Sequence, residues 1–296
     1  MIDNEYLEGI LLNQTLVPRG AELKAIQQHR KDVEKLLRAE FGNSPAIREG
    51  GSKAKGTMIK EAYDLDLTCY FPHEEDDAGQ SLKDIYENVS KVLAKNYRVG
   101  HKGSAVRLMD TEDRTDFHVD VVPGRFVDRK EGDVFLYRSS GDKERLKTNL
   151  DVHIAHVRDS GVVDAIRLMK LWRERNGVNV KTFVLELLTI KLLQGIKERK
   201  LAAQLIHIWE ALSDQAQDLT IEDPANPKGN DLEEMFNGTV KSQVSSTAVR
   251  TLQVIEQSGW EAIFGKLQTE NKERVEALKR ISVVTAAGTK PWSSGK

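Results

Sequence analysis

The chain has 296 residues, with 44 Lys and Arg against 46 Asp and Glu, a formal charge of −2, and 39% hydrophobic residues. That composition describes a globular protein of one or two domains, each large enough to bury a core without disulfides. Near-zero charge excludes a protein that grips duplex nucleic acid through a dense basic face.

In chain order, Leu23, Ile26, Val33, Leu37 and Phe41 recur at helical spacing over 20–41. They predict one long amphipathic helix, closed by Gly42-Asn43, that braces the protein. From 44 to 137 the pattern turns to short alternating runs at 64–71, 105–109, 116–122 and 133–137, with one helical stretch at 82–96. These predict a helix-backed mixed sheet. Beyond about 150 the period is helical again: Val163, Ile166, Met169 and Trp172 share a stripe, 183–193 is apolar all round, and 201–212 follows. Two prolines and a glycine in 222–230 forbid helix and predict an ordered loop; 231–280 is predicted helical, and the tail from Gly288 has the composition of a mobile end. The predicted class is α+β and bilobal: a mixed-sheet palm with its N-terminal brace helix over 1–150, and a helical domain over 151–296.

Cys69 stands alone, no Cys/His cluster suits a structural zinc, and the apolar stretch at 183–193 is too short to cross a bilayer and is broken by Glu186 and Lys191. With no signal pattern at the N-terminus, the expectation is a cytoplasmic protein with no membrane partner.

The chemistry is concentrated in Gly50-Gly51-Ser52-Lys53-Ala54-Lys55-Gly56-Thr57, followed by Tyr63-Asp64-Leu65-Asp66-Leu67-Thr68. Strand alternation sends Asp64 and Asp66 to one face, roughly 6.5 Å apart along the chain, and Leu65 and Leu67 into the core. Two like charges held together on a buried strand suggest a divalent cation between them, Mg²⁺ or Mn²⁺ in its place. A third carboxylate, Asp120, stands in Asp116-Phe117-His118-Val119-Asp120-Val121-Val122-Pro123, where it shares a face with His118. Three acidic donors suit hard ions, and two ions about 3.5–4 Å apart can clamp an in-line phosphoryl displacement. Gly51 and Ser52 add backbone and hydroxyl donors for phosphate oxygens. The spacing is not that of a P-loop, because the acidic pair follows at once.

Each piece alone has a plain reading: Asp-x-Asp as a surface strand, Gly-Gly-Ser as a turn, Asp120 as a strand-end residue. Together and in order they specify a metal-dependent nucleotidyl transfer site. His118 is read as packing or as a partner of the carboxylates, and Cys69 as core.

At these residues the sequence resembles the polymerase-β-type nucleotidyltransferase superfamily, in the branch of the oligoadenylate synthetases and the cGAS/DncV-like enzymes (CD-NTases). The resemblance extends to Ala165-Ile166-Arg167-Leu168-Met169-Lys170-Leu171-Trp172, similar to a helix that lends an arginine and a lysine to the donor triphosphate. It implies that Arg167 and Lys170 hold phosphates, with Gly51 and Ser52. Thr182 and Phe183, at the start of a buried helix that faces the nucleotide, are the implied base contacts, Phe183 by stacking or by packing. The 223–230 loop resembles an Asp-Pro-x-x-Pro-x-x-Asn element with a structural role.

The implied function is Mg²⁺-dependent joining of ribonucleoside triphosphates, ATP and/or GTP among them, into a cyclic dinucleotide or short cyclic oligonucleotide, with release of pyrophosphate. By analogy this serves bacterial antiphage defence of the CBASS type. No Cys/His insertion like the cGAS zinc thumb is present, so no double-stranded nucleic-acid activator is expected; the enzyme is either basally active or controlled by a regulatory protein partner. Two alternatives stand. One is a tRNA CCA-adding nucleotidyltransferase of archaeal type, which needs an RNA-binding tail that the sequence is expected to lack. The other is a catalytically silent nucleotide-binding scaffold.

Overall fold

The computed structural model describes residues 3–18, 20–109, 118–139 and 144–267. The N-terminal segment forms α1 (Asp3–Asn13) and the long α2 (Ala21–Phe41), which ends at Gly42, where a positive φ of 63° suits glycine. Next come β1 (Ala46–Glu49), the short α3 (Gly51–Lys55), β2 (Leu65–Phe71), α4 (Leu82–Leu93), β3 (Arg98–Lys102), β4 (Ala105–Met109), β5 (Val119–Phe126), β6 (Val134–Tyr137) and β7 (Arg145–Thr148). Among the described residues these seven strands make one mixed sheet in the order β1-β2-β5-β4-β3, with β6 and β7 continuing from β5. Among the described strands only β2 and β5 run parallel, side by side at its centre.

The core beneath the sheet gathers Leu65 and Leu67 of β2, Val119 and Val121 of β5, and Val106 and Leu108 of β4 with Ile26, Val33 and Leu37 of α2 and Ile85 and Val89 of α4. The alternation expected for the acidic strands is therefore the one observed. The helix α4 is fixed at its start by a capping box in which the Ser81 and Asp84 side chains each take the other's backbone N–H.

The helical part comprises α5 (Leu150–Arg158), α6 (Val163–Arg175), α7 (Thr182–Leu192), α8 (Leu201–Gln215), α9 (Gly238–Ser258) and α10 (Glu261–Phe264). Its core is built on Trp172, Trp209 and Phe264. It also takes in Tyr6, Leu7, Ile10 and Leu11 of α1. The N-terminal helix thus packs with the helical lobe, whereas the sequence reading assigned 1–150 to the palm; the apolar face of α1 finds its partners in α6 and α8, and of the two N-terminal helices it is α2 that packs on the sheet.

Three further departures have local causes. β1, β3 and β7 each bury no more than one residue, so their sequences carry no apolar alternation to read. Gly50-Gly51-Ser52 is the start of α3 and not an open turn. The strand expected from 116 begins at Val119; Asp116 and Phe117 lie outside the described residues, as do the predicted helix beyond 267 and the C-terminal tail.

Candidate active site

Parallel pairing of β2 with β5 puts Asp66 directly opposite Asp120, and antiparallel pairing of β5 with β4 puts Arg107 opposite Asp120. The three side chains form one row across three strands, on the face away from the palm core. Asp64 lies just before β2 and shares the face of Asp66, and both line a cleft of about 1370 Å³ between the sheet and the helical lobe. Gly51, Ser52, Asp120, Lys170, Thr182 and Phe183 line the same cleft.

Electrostatics differ along the row. Burial, then the Asp120 and Asp64 charges, push the Asp66 carboxyl up to about 6. Asp64 moves up for the same first two reasons, burial and Asp120. Burial also acts on Asp120, but there Arg107 prevails and holds the carboxyl below its usual range. Arg107 donates from Nε to Oδ1 at 2.8 Å and from Nη2 to Oδ2 at 2.7 Å, and Lys102 Nζ stands 3.4 Å from Oδ2. These oxygen donors, crowded on one face with their charges unfavourably close, fit divalent cations of the Mg²⁺ kind. Among the described residues no group of three His, Cys, Asp or Glu side chains is gathered ready to hold an ion, and Asp120 is turned onto Arg107.

Gly51 is at φ 57°, and a Cβ there would overlap the Asp66 carboxylate. Glycine is required on both counts, for the left-handed backbone and for the close approach. The Gly50 N–H donates to Asp66 O at 2.9 Å, which fastens the start of α3 to the acidic strand.

The floor of the cleft joins the two lobes. Lys55 Nζ of α3 donates to Glu186 Oε2 of α7 at 2.7 Å, and the Thr57 hydroxyl donates to Oε1 at 2.8 Å. Lys170 Nζ of α6 donates to the Thr57 carbonyl at 2.8 Å. Glu186 is 1% exposed and pairs with Lys55, while Lys170 stands nearby on the Thr57 carbonyl, so two lysines around one buried carboxylate leave a local positive charge. Burial lowers Lys170 to about 8, with Glu186 acting against it. Phe183 packs beside the His153 ring at 4.9 Å and under Lys55 Nζ at 5.2 Å. His153 Nε2 in turn lies 2.7 Å from Asp223 Oδ1, and Asn230 Nδ2 donates to Asp223 Oδ2 at 2.6 Å. The proline-containing loop therefore backs the wall of the cleft.

One expected site residue lies elsewhere. Arg167 does not line the cleft; its guanidinium donates to the Met58 and Leu11 carbonyls at 3.3 and 3.1 Å and to the Thr15 hydroxyl at 2.8 Å. It lies one turn before Lys170 and ties the end of α1 to α6 through the Leu11 carbonyl, at a position where the resemblance implied a phosphate contact. Arg173, one turn beyond Lys170, does line the cleft. Sequence reasoning missed Lys55, Arg107, Arg173 and Glu186. A charged Arg107 between Val106 and Leu108 was the available signal for one, and the interruption of an apolar helix by Glu186 for another.

No family model matches the sequence. Solved structures do match the fold across nearly the whole chain. CdnC of Escherichia coli MS115-1, solved with ATP, superposes with a TM-score of 0.68 over 90% of this chain and 99% of that one, at 19% identity. The fold is that of the cGAS/DncV-like nucleotidyltransferases. The CD-NTase CdnG of Bradyrhizobium diazoefficiens, in complex with GTP, gives 0.68 over 95% and 99% at 13% identity. DncV of Vibrio cholerae, a cyclic AMP-GMP synthase, gives 0.58 over 90% and 86% at 17% identity. Among curated sequences, the CCA-adding enzyme of Sulfolobus acidocaldarius is 29% identical over 217 residues, 68% of this chain and 48% of that enzyme. The chain matches about half the length of that relative. Within this CD-NTase fold, no helix among the described residues is long and apolar enough to cross a membrane.

Proposed function

We propose that the protein joins ribonucleoside triphosphates into a cyclic dinucleotide or short cyclic oligonucleotide and releases pyrophosphate. The observation that carries this is the facing of Asp66 and Asp120 across β2 and β5, beside α3, in a cleft larger than the roughly 300–1,000 Å³ that a single small ligand fills. Two nucleotides, donor and acceptor, suit that volume.

Asp64, Asp66 and Asp120 would hold Mg²⁺, or Mn²⁺ in its place. When bound, such ions polarise the α-phosphate and neutralise the charge that develops as pyrophosphate leaves. Gly51 and Ser52 at the start of α3, with Lys170, orient the β- and γ-phosphates of the donor. The ribose hydroxyl of the acceptor gives up its proton, with Asp120 as the receiving carboxylate, and its oxygen attacks the donor α-phosphorus. The new P–O bond replaces the bond to the β-phosphate, and the pyrophosphate departs along the line of attack. Thr182 and Phe183 line the wall where a base would rest, and the packing of Phe183 against His153 stiffens that wall.

ATP and GTP are the nucleotides to try first, because the CdnC and CdnG structures were solved with them. A cytoplasmic role in antiphage defence goes with this reading. So does control by a protein partner, since a CdnC structure is a complex with a HORMA protein.

The sequence match to a CCA-adding enzyme favours a second reading, addition of nucleotides to a tRNA end. One experiment separates them. The protein is incubated with all four α-labelled ribonucleoside triphosphates and Mg²⁺ or Mn²⁺, then with phosphatase. Surviving label in a small product indicates internal phosphodiesters and a signal synthase. Label that appears only on added tRNA lacking its CCA end transfers the assignment to the second reading. Metal-independent nucleotide binding without any product would leave a silent scaffold. Asp64→Asn with Asp66→Asn is expected to abolish product while the fold is kept.

A further inference from the structure

We propose that Arg107 closes Asp120 to a free divalent cation, so that the site takes up metal together with nucleotide phosphate and not ahead of it. This rests on the reading of Asp64, Asp66 and Asp120 as metal ligands.

Arg107 spans Asp120 with both arms of its fork, at 2.8 and 2.7 Å, and so occupies both carboxylate oxygens at once. Lys102, from the adjacent strand, stands on the same Oδ2 at 3.4 Å. The Asp120 side chain is only 9% exposed, which leaves little open edge for another ligand. Among the described residues neither Asp64 nor Asp66 takes part in an ion pair. The triad is therefore divided into two carboxylates that want a cation and a third that already has one. No set of three ligands is gathered in this arrangement.

A bare Mg²⁺ ion entering the cleft meets Arg107 and Lys102 as like charges, and must break a bidentate, charge-assisted pair to reach Asp120. The metal complex of a nucleoside triphosphate meets no such barrier. It arrives with net negative charge, and its phosphate oxygens offer the guanidinium a second fork-shaped acceptor in exchange for the carboxylate. Arg107 thus acts as a positioning residue: it releases Asp120 only when a polyphosphate is there to receive it. The pairing follows from strand register, Arg107 opposite Asp120, and needs no mobile loop.

The test is calorimetric titration of Mn²⁺ into nucleotide-free protein, paired with thermal melts across the same Mn²⁺ range. Arg107→Gln is expected to bind Mn²⁺ about tenfold or more tightly than the wild type, and to gain more in Tm on adding the ion. Arg107→Lys, which keeps the charge but loses the fork, should fall between them, and it serves alone if the glutamine variant melts too low to titrate. With a non-hydrolysable triphosphate present, wild type and variants should converge. Equal Mn²⁺ affinity of wild type and both variants, without nucleotide, overturns the proposal. A separate arm guards the premise: Asp66→Asn placed in the Arg107→Gln background must weaken Mn²⁺ binding. If it does not, the metal reading of the carboxylates fails along with the latch; if it does, while Arg107 has no effect, only the latch is lost.

Discussion

Asp66 and Asp120, 54 positions apart in sequence, face each other across the parallel pair β2 and β5, and the pairing leaves their carboxylates with opposite shifts. Asp66 is pushed up by burial and by its acidic neighbours, Asp120 is held down by Arg107. The inequality has consequences for stability as well as for chemistry.

Because the folded Asp66 carboxyl lies above its ordinary value, at about 6 against 3.8, the folded state binds the proton more tightly than the unfolded chain. Its contribution is favourable at acid pH and is lost as pH rises through about 6. Asp66→Asn mimics the protonated form. Metal-free melts should show it more stable than wild type at pH 8, by up to roughly 3 kcal/mol, with the difference vanishing toward pH 4. Equal melts at pH 8 would contradict the crowding of charge at this site.

Gly51→Ala should fail in two ways, since the added methyl meets the Asp66 carboxylate and the backbone is at φ 57°. A loss of about 1–3 kcal/mol is expected from the strained conformation. Urea unfolding would measure it, and nucleotide turnover should fall further than stability alone explains, because Asp66 must move.

Glu186→Gln leaves the Lys55 ammonium without its carboxylate partner in a nearly buried place and removes a negative charge from beside Lys170. Breaking such a pair typically costs about 3–5 kcal/mol. Lys55→Met in the same chain should recover part of that loss, and a double-mutant cycle on unfolding free energies should return a coupling of at least about 1 kcal/mol. Additive losses would mean that the pair does not tie α3 to α7.

Arg167→Ala separates anchoring from substrate binding. Loss of its hydrogen bonds to the Leu11 and Met58 carbonyls should lower stability by about 1–3 kcal/mol and loosen α1, with the KM for nucleotide nearly unchanged. Lys170→Met should do the reverse to KM and raise it. A large KM effect at Arg167 would restore the role that the family resemblance implied for it.

Much of the site was legible without coordinates because its requirements are local. Alternation along 64–67 puts the acidic residues on one face and the leucines on the other, whatever the neighbouring strand is. Gly51, read from the sequence as a donor to phosphate, is required in the fold by the close approach of the Asp66 carboxylate, which the sequence alone does not show. Lys170, Thr182 and Phe183 come from the motifs that carry the resemblance, and all three line the cleft. The α+β class with a helical second part was equally plain from the change of period. Arg167 shows where such reasoning stops: it and Lys170 are three residues apart, yet one guanidinium turns to α1 and one ammonium to the cleft floor.

The sequence by itself determined the long helices and the acidic strands and which face of each is polar, because those follow from spacing within a few residues. Tertiary structure alone decided which polar faces meet. The order β2-β5-β4 makes the row Asp66, Asp120, Arg107, and the packing of the helical lobe beside the sheet brings Glu186 of α7 to Lys55 across 131 positions. A periodic pattern states that a side chain points out of the core; its neighbour is chosen by the packing of distant apolar faces, which is a property of the whole chain.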